Sequence, residues 1–266
     1  MDIQTGTEKL IARKENGIGW IVFNNPQKRN ALSRDMYLGM TAVLEQYARD
    51  SDVRVVMLRG EGEKAFISGA DISQFEALRS TPEGVKQSEE ISQRANKVLR
   101  ECPKPTVAMI RGYCMGGGLS VAIACDLRIA SDDSRFGVPA AKLGVGNGYS
   151  GLKRLTGLVG PAFTAEIFYT GRQFNAQEAL QMGLVNRVLP VAELEPYVLD
   201  YAKTLANNAP LTLSAVKYCI IEIMKDESER DLELCQRAVD ACFTSDDYIE
   251  GRRAFMEKRK PVFKGR

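Results

Sequence analysis

Histidine is absent from all 266 residues of the chain. Because histidine is the side chain whose charge ordinarily changes near neutral pH, its absence excludes three kinds of catalytic site. They are Ser-His-Asp or Cys-His catalysis, an H-E-x-x-H zinc site and a histidine general base. Any chemistry must therefore use carboxylates, hydroxyls, amides, lysines or backbone groups.

Cysteine clusters and an excess of charge are also missing. The six cysteines show no C-x-x-C spacing and mostly lie among apolar neighbours, which favours reduced buried thiols over disulfides or metal ligands. The 36 basic and 34 acidic residues nearly balance, so the chain lacks the basic excess that displaces counterions from nucleic acid. We therefore expect neither a metal centre nor a nucleic-acid partner.

Long apolar runs are missing too. No run reaches transmembrane length, and the first residues, M-D-I-Q-T-G-T-E-K, lack the apolar core of a signal peptide. The composition is 44% apolar and 26% charged, which is ordinary for a globular protein able to bury a sizeable core. We expect a cytoplasmic protein with no membrane partner.

Glycine, by contrast, is concentrated in residues 104–118, K-P-T-V-A-M-I-R-G-Y-C-M-G-G-G. The apolar run from Thr106 to Ile110 predicts a strand, and the apolar spacing from Leu119 to Ala124 predicts a buried helix. The first N–H groups of such a helix have no partner inside it, and the helix dipole is positive there. This backbone could hold an oxyanion, although a glycine turn that merely lets helix and strand pack is the alternative.

A second stretch repeats this order of elements. Residues 64–71, K-A-F-I-S-G-A-D, follow an apolar strand predicted over 53–59 and precede a short helix predicted over 71–79. Two such loops can direct two backbone N–H groups at one oxygen atom.

These stretches resemble the crotonase (enoyl-CoA hydratase/isomerase) superfamily, and the resemblance covers about residues 8 to 265 in order. Its motifs are N-N-P-Q-K-R-N-A-L-S (24–33), F-I-S-G-A-D (66–71), the glycine stretch 104–118, C-D-L-R-I-A-S (125–131), F-G-V-P (136–139), L-G-V (143–145), R-L (154–155), residues 170–188 and E-K-R-K-P-V-F (257–263).

The resemblance implies an α/β fold, a spiral of ββα units followed by a helical C-terminal region. Helical patterns over 191–208, 211–225, 229–243 and 246–257 agree with that tail. We divide the chain into a spiral core with the acyl-CoA site, 1–190, and a helical oligomerisation region, 191–266. The family precedent predicts a homotrimer or a dimer of trimers.

The same resemblance assigns a site. The backbone N–H groups of Ala70 and Gly117 would polarise a thioester carbonyl and stabilise its enolate. Coenzyme A would enter as part of the substrate, with no cofactor bound permanently. Its contacts would come from the residues that match the family's binding loops: Lys28, Arg29, Ala31, Ser68, Ala70, Asp71, Ile72 and Ser73.

Both glutamates that the hydratases of this family use are replaced. The matching positions hold Ser120 and Ala140. Each general acid or base is worth roughly 10²–10⁴ in rate, so their loss should weaken ordinary water addition to an enoyl thioester. Asn147, Tyr149 and Ser120 are candidate replacements, and family members with other reactions carry catalytic groups in the 143–151 loop. One such reaction, decarboxylation, needs no base.

Three interpretations remain open at this stage. The first is a lyase or isomerase of the enoyl-CoA hydratase type. The second is a decarboxylase or thioester hydrolase that uses the oxyanion hole with polar donors. The third is a protein that binds CoA thioesters without useful catalysis.

Overall fold

The computed structural model describes residues 2–71 and 81–266, so Ile72, Ser73 and most of the helix predicted over 71–79 lie outside the described residues. In chain order the strands are β1 Asp2–Ile3, β2 Leu10–Glu15, β3 Ile18–Phe23, β4 Val55–Gly60, β5 Ala65–Ile67, β6 Thr106–Ile110, β7 Tyr113–Met115, β8 Leu127–Ser131, β9 Arg135–Gly137, β10 Phe174–Asn175 and β11 Arg187–Leu189. We number the described α-helices α1 Arg34–Arg49, α2 Pro82–Glu101, α3 Gly117–Ala124, α4 Ala140–Leu143, α5 Tyr149–Thr170, α6 Ala176–Gln181, α7 Val191–Asn207, α8 Pro210–Ile223, α9 Leu232–Phe243 and α10 Asp246–Met256.

The strands form two sheets. The larger sheet has the order β1-β2-β3-β4-β6-β8-β11, and the smaller has the order β10-β9-β7-β5. The chain places β4 in the larger sheet and β5 in the smaller before α2, and then places β6 in the larger and β7 in the smaller before α3. This alternation confirms the predicted spiral of ββα units.

The central strands of the larger sheet are buried on both faces. Ile21 of β3 and Leu58 of β4 belong to the main core, whereas their neighbours Trp20 and Met57 face a second apolar cluster. Successive side chains of a strand point to opposite faces, so a strand covered on both faces has an unbroken apolar sequence. This is why runs such as R-V-V-M-L were recognisable as strands.

Strand β6 is confirmed at its predicted bounds, Thr106–Ile110. Ser33 caps α1 by accepting a hydrogen bond from the N–H of Met36. The prediction for the glycine stretch was incomplete, because the three-residue strand β7 lies between β6 and α3. A strand this short leaves no periodic pattern in the sequence.

The helical C-terminal region begins with a helix that belongs to the core. Leu194, Val198 and Ala202 of α7 lie in the second apolar cluster, against β3, β4, β6 and β8. Helix α8 is attached to the core by the buried Lys217, whose ammonium donates to the Asp126 carboxylate (2.8 Å). The division at residue 190 stays a prediction, and the packing assigns α7 to the covering of the larger sheet.

Helix α3 lies so close to β5 that no side chain fits between them at Gly118. A Cβ atom on Gly118 would lie 2.4 Å from the carbonyl oxygen of Ile67 and 2.7 Å from its Cβ. The oxygen is a backbone atom of strand β5, and the Cβ is attached directly to that backbone. Neither atom can move aside without distorting the strand. This contact sets the distance between the helix and the smaller sheet.

We therefore expect Gly118→Ala to lower the free energy of unfolding by about 1–3 kcal/mol, the usual cost of overpacking a core. Urea denaturation followed by circular dichroism measures this. Gly151→Ala is the matched control, since a Cβ on Gly151, in α5, has no heavy atom within 4 Å. In a helix interior that change should leave stability equal or raise it by up to about 1 kcal/mol. Equal midpoints for Gly118→Ala and the wild type would contradict this interpretation of the packing.

Candidate active site

Two glycine loops meet where β5 and β7 end. These strands pair in parallel, with Ala65 opposite Tyr113 and Ile67 opposite Cys114, so their carboxyl ends lie at the same edge of the smaller sheet. A Cβ atom on Gly116 would lie 3.9 Å from the Cα of Gly69. The loop that carries Ala70 and the loop that carries Gly117 are therefore in contact.

The orientation of Ala70 is set by a parallel bridge to Leu32. The N–H of Leu32 donates to the carbonyl of Gly69 (2.8 Å), and the N–H of Asp71 donates to the carbonyl of Leu32 (2.8 Å). Because successive N–H groups of an extended segment point to opposite sides, the N–H of Ala70 points away from Leu32. It meets no acceptor within residues 2–71 and 81–266.

The second predicted donor opens helix α3. Gly116 precedes the helix with φ 49° and ψ −113°, a conformation that favours glycine, and its N–H donates to the carbonyl of Gly137 (2.9 Å). Gly117 is the first helical residue, and its N–H likewise has no acceptor in the described part of the chain. The two predicted donors thus lie on adjoining loops, and their binding of a thioester oxygen stays a prediction.

Two arginines, the buried Arg128 and the partly buried Arg154, contact the opposite end of α3. The Nε of Arg154 donates to the carbonyl of Ile123 (2.9 Å), and Nη1 of Arg128 donates to the carbonyl of Cys125 (2.9 Å). Burial lowers the pKa of both guanidinium groups. Cations at a helix C-terminus satisfy its last carbonyls and complement the helix dipole. The sequence analysis missed this role, although arginine shortly after a predicted helix end is a recognisable signal.

The two positions that lack glutamate differ in exposure. Ser120 is exposed on the otherwise largely buried α3, and its hydroxyl donates to the carbonyl of Gly116 at 3.4 Å. Ala140 begins α4 and is buried. Neither side chain can act as a carboxylate acid or base.

The loop with Asn147 and Tyr149 is exposed and lies beside α2. A Cβ atom on Gly148 would be 3.6 Å from the side-chain nitrogen of Gln93. The side chain of Tyr149 is 74% exposed, and its ring lies 5.8 Å from the ammonium of Lys153 in its own helix. These contacts do not place either residue at the two N–H groups, so their catalytic assignment stays a prediction.

Those predicted coenzyme A residues that the structure describes come from two separate segments and lie close together, whereas Ile72 and Ser73 lie outside the described residues. The ammonium of Lys28 lies 3.1 Å from the carboxylate of the buried Asp71. Ser68 donates through its N–H to the carbonyl of Arg29 (3.1 Å) and through its hydroxyl to that of Lys28 (3.3 Å). Ala31 is buried just before the Leu32 bridge. One continuous surface therefore leads from the Lys28 loop to Ala70.

Asn30 and Arg29 shape this loop. Both adopt left-handed backbone conformations, with φ of 57° and 51°. The side chain of the buried Asn30 donates to the carbonyls of Glu61 and Ala65 (2.9 and 2.8 Å), and the Arg29 guanidinium lies 5.3 Å from the ring centre of Tyr113. The sequence analysis missed Asn30, whose type suits a left-handed turn position.

Tyr37 is a further residue near the site that the sequence analysis missed. Its hydroxyl lies 3.1 Å from the position that a Cβ on Gly117 would occupy. The side chain projects from α1 and packs partly buried against the main core. No spacing rule connects residues so distant in the chain.

The residues that the structure describes give little evidence for a metal site or for a reactive thiol. No group of three His, Cys, Asp or Glu side chains there could hold a metal ion. Burial raises the pKa of the Cys114 thiol, and it raises that of Cys125 to about 12, so these thiols are not the thiolate nucleophiles that cysteine catalysis requires. Across the same described ranges, no helix has the length and apolar character to cross a membrane.

Comparisons with known proteins agree with this geometry. A sequence model of the enoyl-CoA hydratase/isomerase family matches residues 13–266. A short-chain-enoyl-CoA hydratase of Clostridium acetobutylicum is 36% identical over 254 residues, which cover 94% of this chain and 95% of the relative. A crotonyl-CoA hydratase of Syntrophomonas wolfei is 32% identical over 256 residues, covering 96% and 98%.

Solved structures give the same result. The crystal structure of an enoyl-CoA hydratase/carnithine racemase from Magnetospirillum magneticum aligns with a TM-score of 0.91 and 36% identity, covering 98% of this chain and 97% of that one. An enoyl-CoA hydratase from Bacillus anthracis aligns with a TM-score of 0.90 and 31% identity, covering 97% and 100%. The chain therefore belongs to the enoyl-CoA hydratase/isomerase family of enzymes, within the crotonase superfamily.

Proposed function

We propose that this protein binds an acyl-CoA thioester with its carbonyl oxygen between the N–H groups of Ala70 and Gly117, and that it stabilises the enolate formed next to that carbonyl. The observation that carries the proposal is the contact between the two glycine loops, each of which presents an N–H group that has no acceptor among residues 2–71 and 81–266. Donors that are already oriented lose little energy to reorganisation when charge develops on the oxygen.

The coenzyme A part of the substrate would lie along the surface formed by Lys28, Arg29, Ala31, Ser68 and Asp71. The half-exposed Lys28 ammonium supplies a cation for phosphate, and the exposed Arg29 supplies a second. By family precedent, Ile72 and Ser73 would continue this contact. Coenzyme A would enter only as part of the substrate, with no resident cofactor.

The first candidate reaction is that of an enoyl-CoA lyase or isomerase. The relatives from Clostridium and Syntrophomonas are named as hydratases, and this chain matches nearly their whole length. Since Ser120 and Ala140 cannot replace two carboxylates, proton transfer would depend on Asn147, Tyr149 or the Ser120 hydroxyl.

Decarboxylation of an acyl-CoA is the second candidate, and the same two residues favour it. Loss of CO₂ from a carboxyl group next to the thioester leaves the electron pair of the broken bond as the enolate, so no base is required. The Ala70 and Gly117 N–H groups would stabilise that enolate as they would in the first reaction. Thioester hydrolysis would use the same oxyanion hole.

We also propose self-association as a homotrimer or a dimer of trimers. Helices α8 to α10 expose many large apolar side chains, which on a monomer would form an unusually apolar surface. The exposed residues are Val216, Ile220, Ile223, Met224, Leu232, Phe243, Tyr248, Ile249, Phe255 and Met256.

The first reaction predicts loss of the conjugated-enoyl absorbance when the purified protein is mixed with crotonyl-CoA. A hydratase that retains both glutamates is the positive control, and the missing carboxylates should make this protein at least about 100-fold slower than the control. Loss of CO₂ from a malonyl-type thioester, measured in parallel, would favour the second candidate. Binding of crotonyl-CoA without either reaction would leave the non-catalytic interpretation.

Gly117→Val should lower kcat/KM at least about 100-fold in either reaction, because a side chain there displaces the ligand oxygen from its N–H donor. Ala192→Val enlarges an exposed side chain on α7, outside the two glycine loops and the 143–151 loop, and should retain activity. Thermal unfolding of both variants separates lost activity from lost folding. Full activity in a folded Gly117→Val protein would contradict the proposed oxyanion hole.

Light scattering of the purified protein should give the mass of three or six chains. Ile223→Asp places a charge on the exposed apolar face of α8 and should shift the mass toward that of one chain. Tyr169→Asp is the control, since Tyr169 is more exposed than Ile223 but lies on α5. A monomeric mass for the wild-type protein would overturn the proposed assembly.

A further inference from the structure

The segment that carries Gly117 is closed at its base by a pair of residues. Residues 106–126 run through β6, β7 and α3, and the first and last of them are bonded to each other. The N–H and the hydroxyl of Thr106 donate to one carboxylate oxygen of Asp126 (2.8 and 2.9 Å), and the N–H of Asp126 donates to the carbonyl of Thr106 (3.1 Å). The chain therefore leaves α3 beside the point where it enters β6.

Helix α8 holds this base from outside the segment. The ammonium of Lys217 donates to the same Asp126 oxygen (2.8 Å) and to the carbonyl of Lys104 (3.0 Å). The hydroxyl of Ser214 donates to the carbonyl of Pro103 (2.7 Å). Ser214 and Lys217 are three residues apart, so they lie on one face of α8. This face contacts both the residues that lead into the segment and the residue that ends it.

The Lys217–Asp126 pair is directional as well as attractive. The side chain of Lys217 is only 6% exposed, so its ammonium has little access to water and depends on its protein acceptors. One oxygen of Asp126 accepts three hydrogen bonds, two from Thr106 and one from Lys217. A buried ion pair adds little net stability compared with apolar side chains of the same volume. Its directed hydrogen bonds nevertheless fix where Asp126 can lie.

Helix α3 connects this base to the candidate site. It covers Gly117–Ala124, and Asp126 follows two residues after its end. Eight helical residues span about 12 Å, and so short a helix moves as a rigid unit. A shift of Asp126 would therefore tilt α3 and change the direction of the Gly117 N–H at its other end.

We propose that Lys217 is a positioning residue, which acts through Asp126 to hold α3 where the Gly117 N–H is directed at the thioester oxygen. This proposal rests on the function proposed above. An oxyanion hole works only when its donors are held in place before charge develops. The alternative is that the pair merely attaches α8 to the core. In that case its loss would lower stability without changing how well a bound enolate is stabilised.

The test compares the wild-type protein with Lys217→Met, using acetoacetyl-CoA as the probe. This β-keto thioester absorbs in the near ultraviolet when it enolises, so a pH titration of the bound ligand measures enolate stabilisation without turnover. We expect Lys217→Met to weaken that stabilisation roughly 10- to 100-fold, since small misplacements of catalytic groups by distant substitutions have effects of this size. The enolisation midpoint of the bound probe would then rise by about one to two pH units.

Glu222→Gln is the matched control, because it removes a buried ion pair from the same helix. The Glu222 carboxylate accepts hydrogen bonds from the Lys225 ammonium (2.6 Å) and from the N–H of Asp231 (2.8 Å), and these residues do not belong to the 104–126 segment. We expect Glu222→Gln to lower the temperature of thermal unfolding, as Lys217→Met does, and to leave the enolisation midpoint unchanged.

Asp126→Asn provides a second variant, which also serves if Lys217→Met does not fold. Its amide keeps an oxygen for the Thr106 donors and removes the charge that pairs with Lys217. It should raise the midpoint as well, and the rise in Lys217→Met/Asp126→Asn should be smaller than the sum of the two single rises.

Two results would overturn the role of Lys217. One is a midpoint equal to that of the wild type in the folded Lys217→Met or Asp126→Asn protein, and the other is an equal rise in Glu222→Gln. A wild-type protein that binds acetoacetyl-CoA without lowering its enolisation midpoint below that of the free probe would instead contradict the proposed function itself.

Discussion

The close packing of helix α3 on strand β5 is the constraint on which the site depends. Only glycine fits at position 118, because the backbone of Ile67 occupies the space where a Cβ would lie. The parallel pairing of β5 with β7 then brings both strand ends to one edge of the smaller sheet. As a result, two loops that are distant in the chain present N–H groups on adjoining surfaces.

Helix α3 illustrates how a short apolar helix can be buried without leaving its backbone unsatisfied. Its first N–H groups face the candidate site, and its last carbonyls accept hydrogen bonds from Arg128 and Arg154. Both guanidinium groups are wholly or partly removed from water. Removing a charged group from water is costly unless hydrogen bonds compensate for the lost hydration. The helix therefore has one end at the candidate site and one end closed by cations, an arrangement that follows the direction of its dipole.

The chemistry of the site divides into a backbone part and a side-chain part. Backbone donors depend on the path of the chain and not on residue identity, so the N–H groups of Ala70 and Gly117 can keep their positions while neighbouring side chains change. By the resemblance to the family, Ser120 and Ala140 would be such a change, because they match the positions where its hydratases carry glutamate. An enolate-stabilising fold with different side chains can support different reactions, and family membership alone does not specify which reaction this protein catalyses.

The sequence by itself determined the long elements and the chemical limits. Strand β6 was predicted at its observed bounds, because an apolar run reports burial directly. The absence of histidine was equally visible without a structure. The resemblance to the crotonase superfamily added Ala70, Gly117 and the Lys28 loop as expected site residues.

Only the tertiary structure decided which of these groups meet. Strands β5, β7 and β9 have three residues each, too few for a periodic signal, so the smaller sheet was not predicted. The contacts of Tyr37 with Gly117, of Arg154 with Ile123 and of Lys28 with Asp71 join distant parts of the chain. Such contacts depend on how sheets and helices pack in three dimensions, which local residue patterns do not encode.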